Sequence, residues 1–307
     1  MADRRPSLTG TVPAVPSVVL PAAPALAPLL AAGALRSPFR RPRPDAPFPR
    51  TRLVLPGVRV DLARLAAYER VCGFATGDDA LPVTYPHVLG FPLAMRLMSG
   101  RDFPLPLLGL VHTSVEITRH TVLPATGEYE LAVRVDGLAP HRRGTEATVV
   151  TEARTGGDVV WESRSTFLAR HRTDAPVGGV PAGGAPSARE PLPAREPLPA
   201  VAVWGIAGDV GRRYAAASGD RNPIHLHPLT ARPFGFPRAV AHGMWAVARC
   251  LAAHGTPRAV SLRAEFRSPL PLPATVEYAA DGAGRFALRD AAGGRPHVAG
   301  DIRPARA

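Results

Sequence analysis

Two side chains able to exchange protons, Asp220 and His225, stand five residues apart in the run Ser218-Gly219-Asp220-Arg221-Asn222-Pro223-Ile224-His225. Pro223 fixes one backbone torsion, and Asn222 is a residue whose side chain bonds readily to the backbone of a tight turn. Such a turn can aim a carboxylate and an imidazole at one water. A well-placed acid/base group contributes on the order of 10²–10⁴ in rate. The composition sharpens the signal. Every basic residue is Arg, with Lys and Gln absent, as in a strongly biased coding sequence, so residues that the bias has nearly removed are informative where they survive. Asn222 is the single Asn of the chain and Ile224 is one of four Ile. An Asp and a His in a turn are more often solvated or capping groups. What lifts this pair above that reading is the string that follows it, Gly235-Phe236-Pro237 and then Ala241-His242-Gly243-Met244.

The elements that must hold this loop are repeated. Gly73 follows Tyr68 by five residues, as Gly219 follows Tyr214; Gly100 follows His87 by thirteen, as Gly255 follows His242. Pro124 lies eight residues after Glu116 in Leu-Pro-Ala-Thr, and Pro273 lies eight after Glu265 in the same tetrapeptide. Three landmarks in one order with matched spacing argue for an internal duplication. In each copy a helix apolar nearly all round, at 87–99 and 243–254, precedes strand-like segments. These are 110–122, 129–136, 145–154 and 158–169 in the first copy, and 259–269, 274–280, 284–290 and 296–303 in the second. A buried helix followed by an antiparallel meander buries its surface only if the sheet wraps the helix, which predicts an α+β double hot-dog. The copies differ in one place. From glycine to histidine is 14 residues in the first and 23 in the second, and Phe74 stands where the second has Asp220.

The second copy resembles the MaoC-like dehydratases, the (R)-specific enoyl-CoA hydratase (hydratase 2) family. The signature runs from Tyr214 through Asp220, Asn222, Pro223 and His225 to Gly235-Phe236-Pro237 and Ala241-His242-Gly243-Met244. The resemblance implies a hydro-lyase of fatty-acid metabolism, a hydratase or dehydratase interconverting trans-2-enoyl and (3R)-3-hydroxyacyl thioesters. Asp220 and His225 would share the acid/base work. Gly243, at the start of the buried helix where N–H groups lack partners, would donate to the thioester oxygen. Ser218, Asn222, Pro223 and His242 would support or bind. No cofactor or metal is implied; coenzyme A or an acyl carrier comes as part of the substrate. Two alternatives stand beside this reading: a 3-hydroxyacyl-carrier-protein dehydratase of a fatty-acid or polyketide cycle, and a non-catalytic acyl-thioester-binding subunit.

Other readings are weaker. His225 and His227 with Asp220 could suggest a metal site, but Pro223 and Pro228 flank a pair that would ligate best from a strand; His227 reads as surface. His242 and His87 read as structural and Trp245 as core. The net charge of +12 could suggest nucleic acid, yet no aromatic-interleaved basic platform occurs, and residues 1–50 alone hold seven arginines against two aspartates. An acidic thioester carrier fits the same sign, and a homodimer is a further expectation. Cys72 and Cys250 lack metal or disulfide spacing and read as buried thiols of a cytoplasmic protein. Five prolines interrupt the uncharged run 11–35, which argues against a membrane span. The expected organisation is a Pro/Arg-rich arm at 1–50 packed on the surface, a degenerate hot-dog at 51–170, a Pro/Gly-rich linker at 171–200 and a catalytic hot-dog at 201–307. Loss of nine loop residues in the degenerate half frees space near Phe91 and Met95 for an acyl tail.

Overall fold

The computed structural model describes residues 16–173 and 198–305; most of the expected linker lies outside the described residues. In chain order the elements are β1 (Ser17–Val19), α1 (Leu26–Arg36), β2 (Arg52–Arg59), α2 (Leu62–Cys72), α3 (Tyr85–Met98), β3 (Val111–Arg119), β4 (Glu128–His141), β5 (Gly144–Thr155) and β6 (Asp158–Arg170). They continue with β7 (Ala200–Ile206), α4 (Val210–Ser218), α5 (Pro228–Ala231), α6 (Gly243–His254), β8 (Val260–Phe266), β9 (Ala274–Ala280), β10 (Arg285–Asp290) and β11 (Pro296–Pro304).

All the strands join one sheet in the order β1-β2-β4-β5-β6-β3-β8-β11-β10-β9-β7. Read outward from the β3–β8 seam, the two sides carry the same connectivity: β3, β6, β5, β4, β2 on one and β8, β11, β10, β9, β7 on the other. The register at the seam obeys the duplication. Ser114 pairs with Glu265 and Glu116 with Arg263. Because Glu116 corresponds to Glu265, these two pairs exchange under a two-fold axis at the Val115–Ala264 pair. The α+β hot-dog architecture read from the sequence is therefore present, with both halves contributing to one continuous sheet.

Each half begins with a strand and a helix that hydrophobic patterning did not reveal. In β2, Pro56 and Gly57 fall where the pairing with β4 shifts, so alternation is broken there. β7 is an edge strand with Val201 and Val203 exposed. α2 is capped by Asp61, whose side chain accepts from the N–H groups of Ala63 and Arg64, and it ends at the left-handed Gly73. α4 ends likewise at Gly219, φ +84°. These two helices pack on each other across the halves: Arg64 Nε donates to the Ala217 carbonyl at 2.8 Å. The central helices α3 and α6 are buried against their sheets, with Leu93, Met98, Val247 and Leu251 in the core. Trp245 is core, and its Nε1–H donates to the Val71 carbonyl of the other half at 2.8 Å.

The N-terminal arm does more than lie on the surface. β1 pairs in parallel with β2, and α1 inserts Gly33 so tightly that a Cβ there would come within 2.4 Å of Leu107. The charge-free, Ala/Leu-rich stretch is apolar because part of it faces a cavity.

Candidate active site

The loop from α4 to α6 is held by its own backbone and by one close approach. Ser218 Oγ accepts from the Asp220 N–H (3.2 Å), Asp220 Oδ1 accepts from the Asn222 N–H (3.2 Å), and Asn222 Oδ1 accepts from the Ile224 N–H (3.4 Å). Pro223 opens a short 3₁₀ turn that ends on His225. Thr230 Oγ donates to the Pro223 carbonyl at 2.7 Å. Gly211, inside α4, lets this turn press against the helix: a Cβ there would stand 2.1 Å from the His225 carbonyl oxygen. The sequence hint was a glycine in an otherwise Ala-rich helix. His227 is exposed and caps α5 by accepting from the Leu229 N–H.

His225 and Asp220 meet where the loop returns past Val240. His225 Nδ1 lies 2.7 Å from the Val240 carbonyl, which can only accept, so Nδ1 carries the proton and Nε2 keeps its lone pair. His242, at the N-terminus of α6, donates Nε2–H to the Asp220 main-chain carbonyl at 2.9 Å, and its Nε2 is 3.9 Å from Asp220 Oδ2. One atom from each of Asp220, His225 and His242 lies within 4.8 Å of the others. One water can bridge that spacing. The same three residues could be offered to a cation, but His225 Nδ1 and His242 Nε2 are both committed to carbonyl oxygens. Ligation would be left to His225 Nε2, the Asp220 carboxylate and the buried Nδ1 of His242, which has no partner.

Burial sets the electrostatics. It pushes the Asp220 carboxyl above the usual carboxylate range, with His225 opposing the shift. It pulls His225 below the usual imidazole range, opposed by Asp220 and the Val240 carbonyl. His242 is lowered further, by burial and by the neighbouring His225. The two groups are thus brought toward each other in proton affinity, which is what a pair sharing acid and base roles requires.

Gly243 is the first residue of α6, so its N–H has no carbonyl a turn earlier. A Cβ at this position would lie 2.7 Å from the Phe266 ring of β8. The glycine is thus required by protein packing as well as by any ligand, a constraint with no signal in the sequence.

The pair opens onto a cavity of about 490 Å³ that crosses the seam between the halves. Its polar end is Asp220, Asn222, His225, His242 and Gly243, and its long apolar part is lined by Phe91, Met95 and Met98 of α3, by Val149 of β5, and by Leu30 and Ala34 of α1. His87, expected to be structural, lines the cavity too. The first half offers no counterpart of Asp220: Phe74 stacks on Tyr68 at a centroid distance of 6.4 Å.

Comparison with known proteins finds relatives along most of the chain. A family profile described as "MaoC like domain" matches residues 194–285. A 3-hydroxyacyl-thioester dehydratase X of Mycobacterium tuberculosis is 38% identical over 269 residues, covering 85% of this chain and 92% of that protein. The crystal structure of HtdX from Mycobacterium tuberculosis superposes with a TM-score of 0.70 at 35% identity, over 83% of this chain and 100% of that one. A MaoC-like dehydratase from Phytophthora capsici shares the fold, with a TM-score of 0.68 at 18% identity over 86% and 96% of the two chains.

Proposed function

The chain belongs to the MaoC-like dehydratase family, and we propose that it is a hydro-lyase interconverting trans-2-enoyl and (3R)-3-hydroxyacyl thioesters, with Asp220 and His225 as its acid/base pair. The observation that carries the residue assignment is the tautomer of His225. With Nδ1–H tied to the Val240 carbonyl, Nε2 keeps the lone pair of a base, on a ring that brings a nitrogen within 4.8 Å of an Asp220 carboxylate oxygen.

In the hydration direction a water held between Asp220 and His225 gives up a proton to the pair as its oxygen bonds to C3. The electron pair of the double bond moves toward the thioester oxygen, where the Gly243 N–H stabilises the developing enolate, a contribution of roughly 10²–10³ in rate. C2 then takes a proton from the pair, which returns it to its starting state. Dehydration is the same path reversed. Each step moves protons and a C–O bond without exchange of electrons with another molecule, so the reading assigns no cofactor beyond the coenzyme A or acyl carrier attached to the substrate. Ser218, Asn222, Pro223 and His242 act on the pair through the loop and do not touch the reacting carbons.

The degenerate half, 51–170, together with α1 of the arm, completes the catalytic half, 201–307, by supplying much of the apolar part of the cavity. That supports an acyl chain of medium or long length. Among the described residues no helix is long and apolar enough to cross a membrane. Cys72 and Cys250 are buried and free, which supports a cytoplasmic setting. Many arginines are engaged in ion pairs, Arg52, Arg134 and Arg154 all on Glu152 for example, which supports reading the basic charge without nucleic acid as a partner. The deciding experiment is a hydration assay on enoyl-CoA substrates of increasing length, followed at the enoyl-thioester absorbance. Turnover to the (3R) product supports the assignment, and binding without turnover supports the acyl-binding alternative.

A further inference from the structure

Two histidines of the degenerate half sit in the wall of the acyl cavity where only apolar contacts are needed. His87 (α3) and His112 (β3) stack at a centroid distance of 6.1 Å, 11° from parallel. His112 packs in turn on Phe167 at 4.5 Å and on Phe266 at 4.7 Å. Phe266 is the ring that abuts Gly243. The order Gly243, Phe266, His112, His87 therefore runs along the cavity away from the reacting carbons and into the first half. His87, His112 and Ser165 of β6 all line the cavity. All three hold a polar atom without a partner: Nδ1 of His87, Nε2 of His112 and Oγ of Ser165.

Unpartnered buried polar atoms cost stability, and native proteins hold few of them. Three of them in residues that line one ligand cavity point to a partner that arrives with the ligand. Its chemistry follows from the protonation state. Burial lowers His87 to about 4 and His112 to about 3, so both rings are neutral near pH 7 and have no charge to offer a carboxylate or phosphate. A neutral imidazole has one N–H donor and one acceptor nitrogen, so the unpartnered Nε2 of His112 needs a group able to complement either. Ser165 can donate or accept, and neutral His87 keeps one N–H donor. One group that both donates and accepts satisfies this set.

We propose that His87, His112 and Ser165 form a specificity station for a hydroxyl group carried on the acyl chain, beyond the reacting double bond. The proposal rests on the enoyl-thioester reading above. A hydroxylated chain completes the station, whereas a plain alkyl chain leaves its atoms unpaired, and sites built to hydrogen-bond a substrate group discriminate strongly against the analogue lacking it.

The test compares pairs of enoyl-CoA substrates of equal length, with and without one hydroxyl, scanning its position along the chain. At the matching position the wild-type protein is expected to favour the hydroxylated member by about 10-fold or more in kcat/KM. In His112→Phe and in His87→Leu that ratio should fall toward one. A wild-type ratio at or below one at every position, as expected if the station holds only water, overturns the proposal; so does a ratio the substitutions leave unchanged. Calorimetry with the matching saturated acyl-CoA pairs reads the same ratio as Kd without turnover. A protein that binds hydroxylated chains preferentially but hydrates none would keep the station and lose the reaction. One that hydrates plain and hydroxylated chains alike would keep the reaction and lose the station.

Discussion

The imidazole rings of His225 and His242 lie 3.7 Å apart, centroid to centroid, and 28° from parallel. Each donates one N–H to a main-chain carbonyl, Val240 for His225 and Asp220 for His242. Stacked at this distance the two rings cannot both be charged without strong repulsion, and burial already disfavours a charge on either. His242 thus holds the Asp220 backbone and at the same time forms one wall of the slot in which His225 works.

Removing either member of the pair should stop the reaction and spare the fold. Asp220→Ala and His225→Ala are expected to lower kcat by at least about 10², with circular dichroism like that of the wild type. The double variant should show no residual turnover, because the first half has Phe74 in place of an acid. Residual hydration traced to residues 51–170 would be incompatible with this assignment.

The pH dependence follows from the directions of the shifts. His225 must be neutral to act as base, and burial lowers its proton affinity. The acid limb of kcat/KM is therefore expected below 6.5, the ordinary imidazole value. A profile measured from acid to neutral pH whose limb falls at or above that value would contradict the arrangement.

Gly243→Ala places a methyl group 2.7 Å from the Phe266 ring. The start of α6 must move, and with it the N–H assigned to the enolate oxygen, so a loss of roughly 10²–10³ in kcat is expected. Pairing it with Phe266→Leu, which makes room, should restore part of the loss. If the second substitution restores nothing, the methyl group acts by blocking substrate and not by displacing the helix.

Chain length should matter through the apolar part of the cavity. At roughly 0.8 kcal/mol per buried methylene, kcat/KM is expected to rise several-fold for each added two-carbon unit until the cavity is full, and crotonyl-CoA should be a poor substrate. Met95→Trp, which fills the space, should abolish the gain for long chains. A four-carbon optimum in the wild type would show that α3 does not line the acyl path.

Acid should destabilise the protein before it unfolds the sheet. His87 and His112 are held near 4 and 3 against an ordinary value of 6.5. The unfolded chain therefore takes up their protons first as pH falls. Their contribution to stability is complete above about 6.5 and is lost as pH drops toward 4 for His87 and toward 3 for His112, by up to about 1.4 kcal/mol per pH unit for each. Urea midpoints at pH 7, 6 and 5 measure the slope, and replacing both residues with Phe should reduce it, with His225 and His242, also lowered by burial, supplying part of what remains.

The loop proposed to carry the chemistry was legible in the sequence because its geometry is local. Asp220, Asn222, Pro223 and His225 lie in one turn whose geometry depends on near neighbours, and the duplicated Tyr, Gly, His and Glu landmarks carry the two-fold plan. The buried helices α3 and α6 and the later strands of each half were legible too, since burial writes a continuous apolar run. β2 and β7 were not: a bulge with Pro56-Gly57 breaks the alternation in one, and edge exposure removes the apolar face of the other. Tertiary structure alone decided which carbonyl orients His225, why residue 243 must be glycine, and that α1 lines the cavity. It also decided that His87 and His112 meet in the cavity wall. Each of these depends on residues far apart in the chain, such as Phe266 against Gly243 or His87 against His112. No spacing records such a contact, because only packing across the seam creates it.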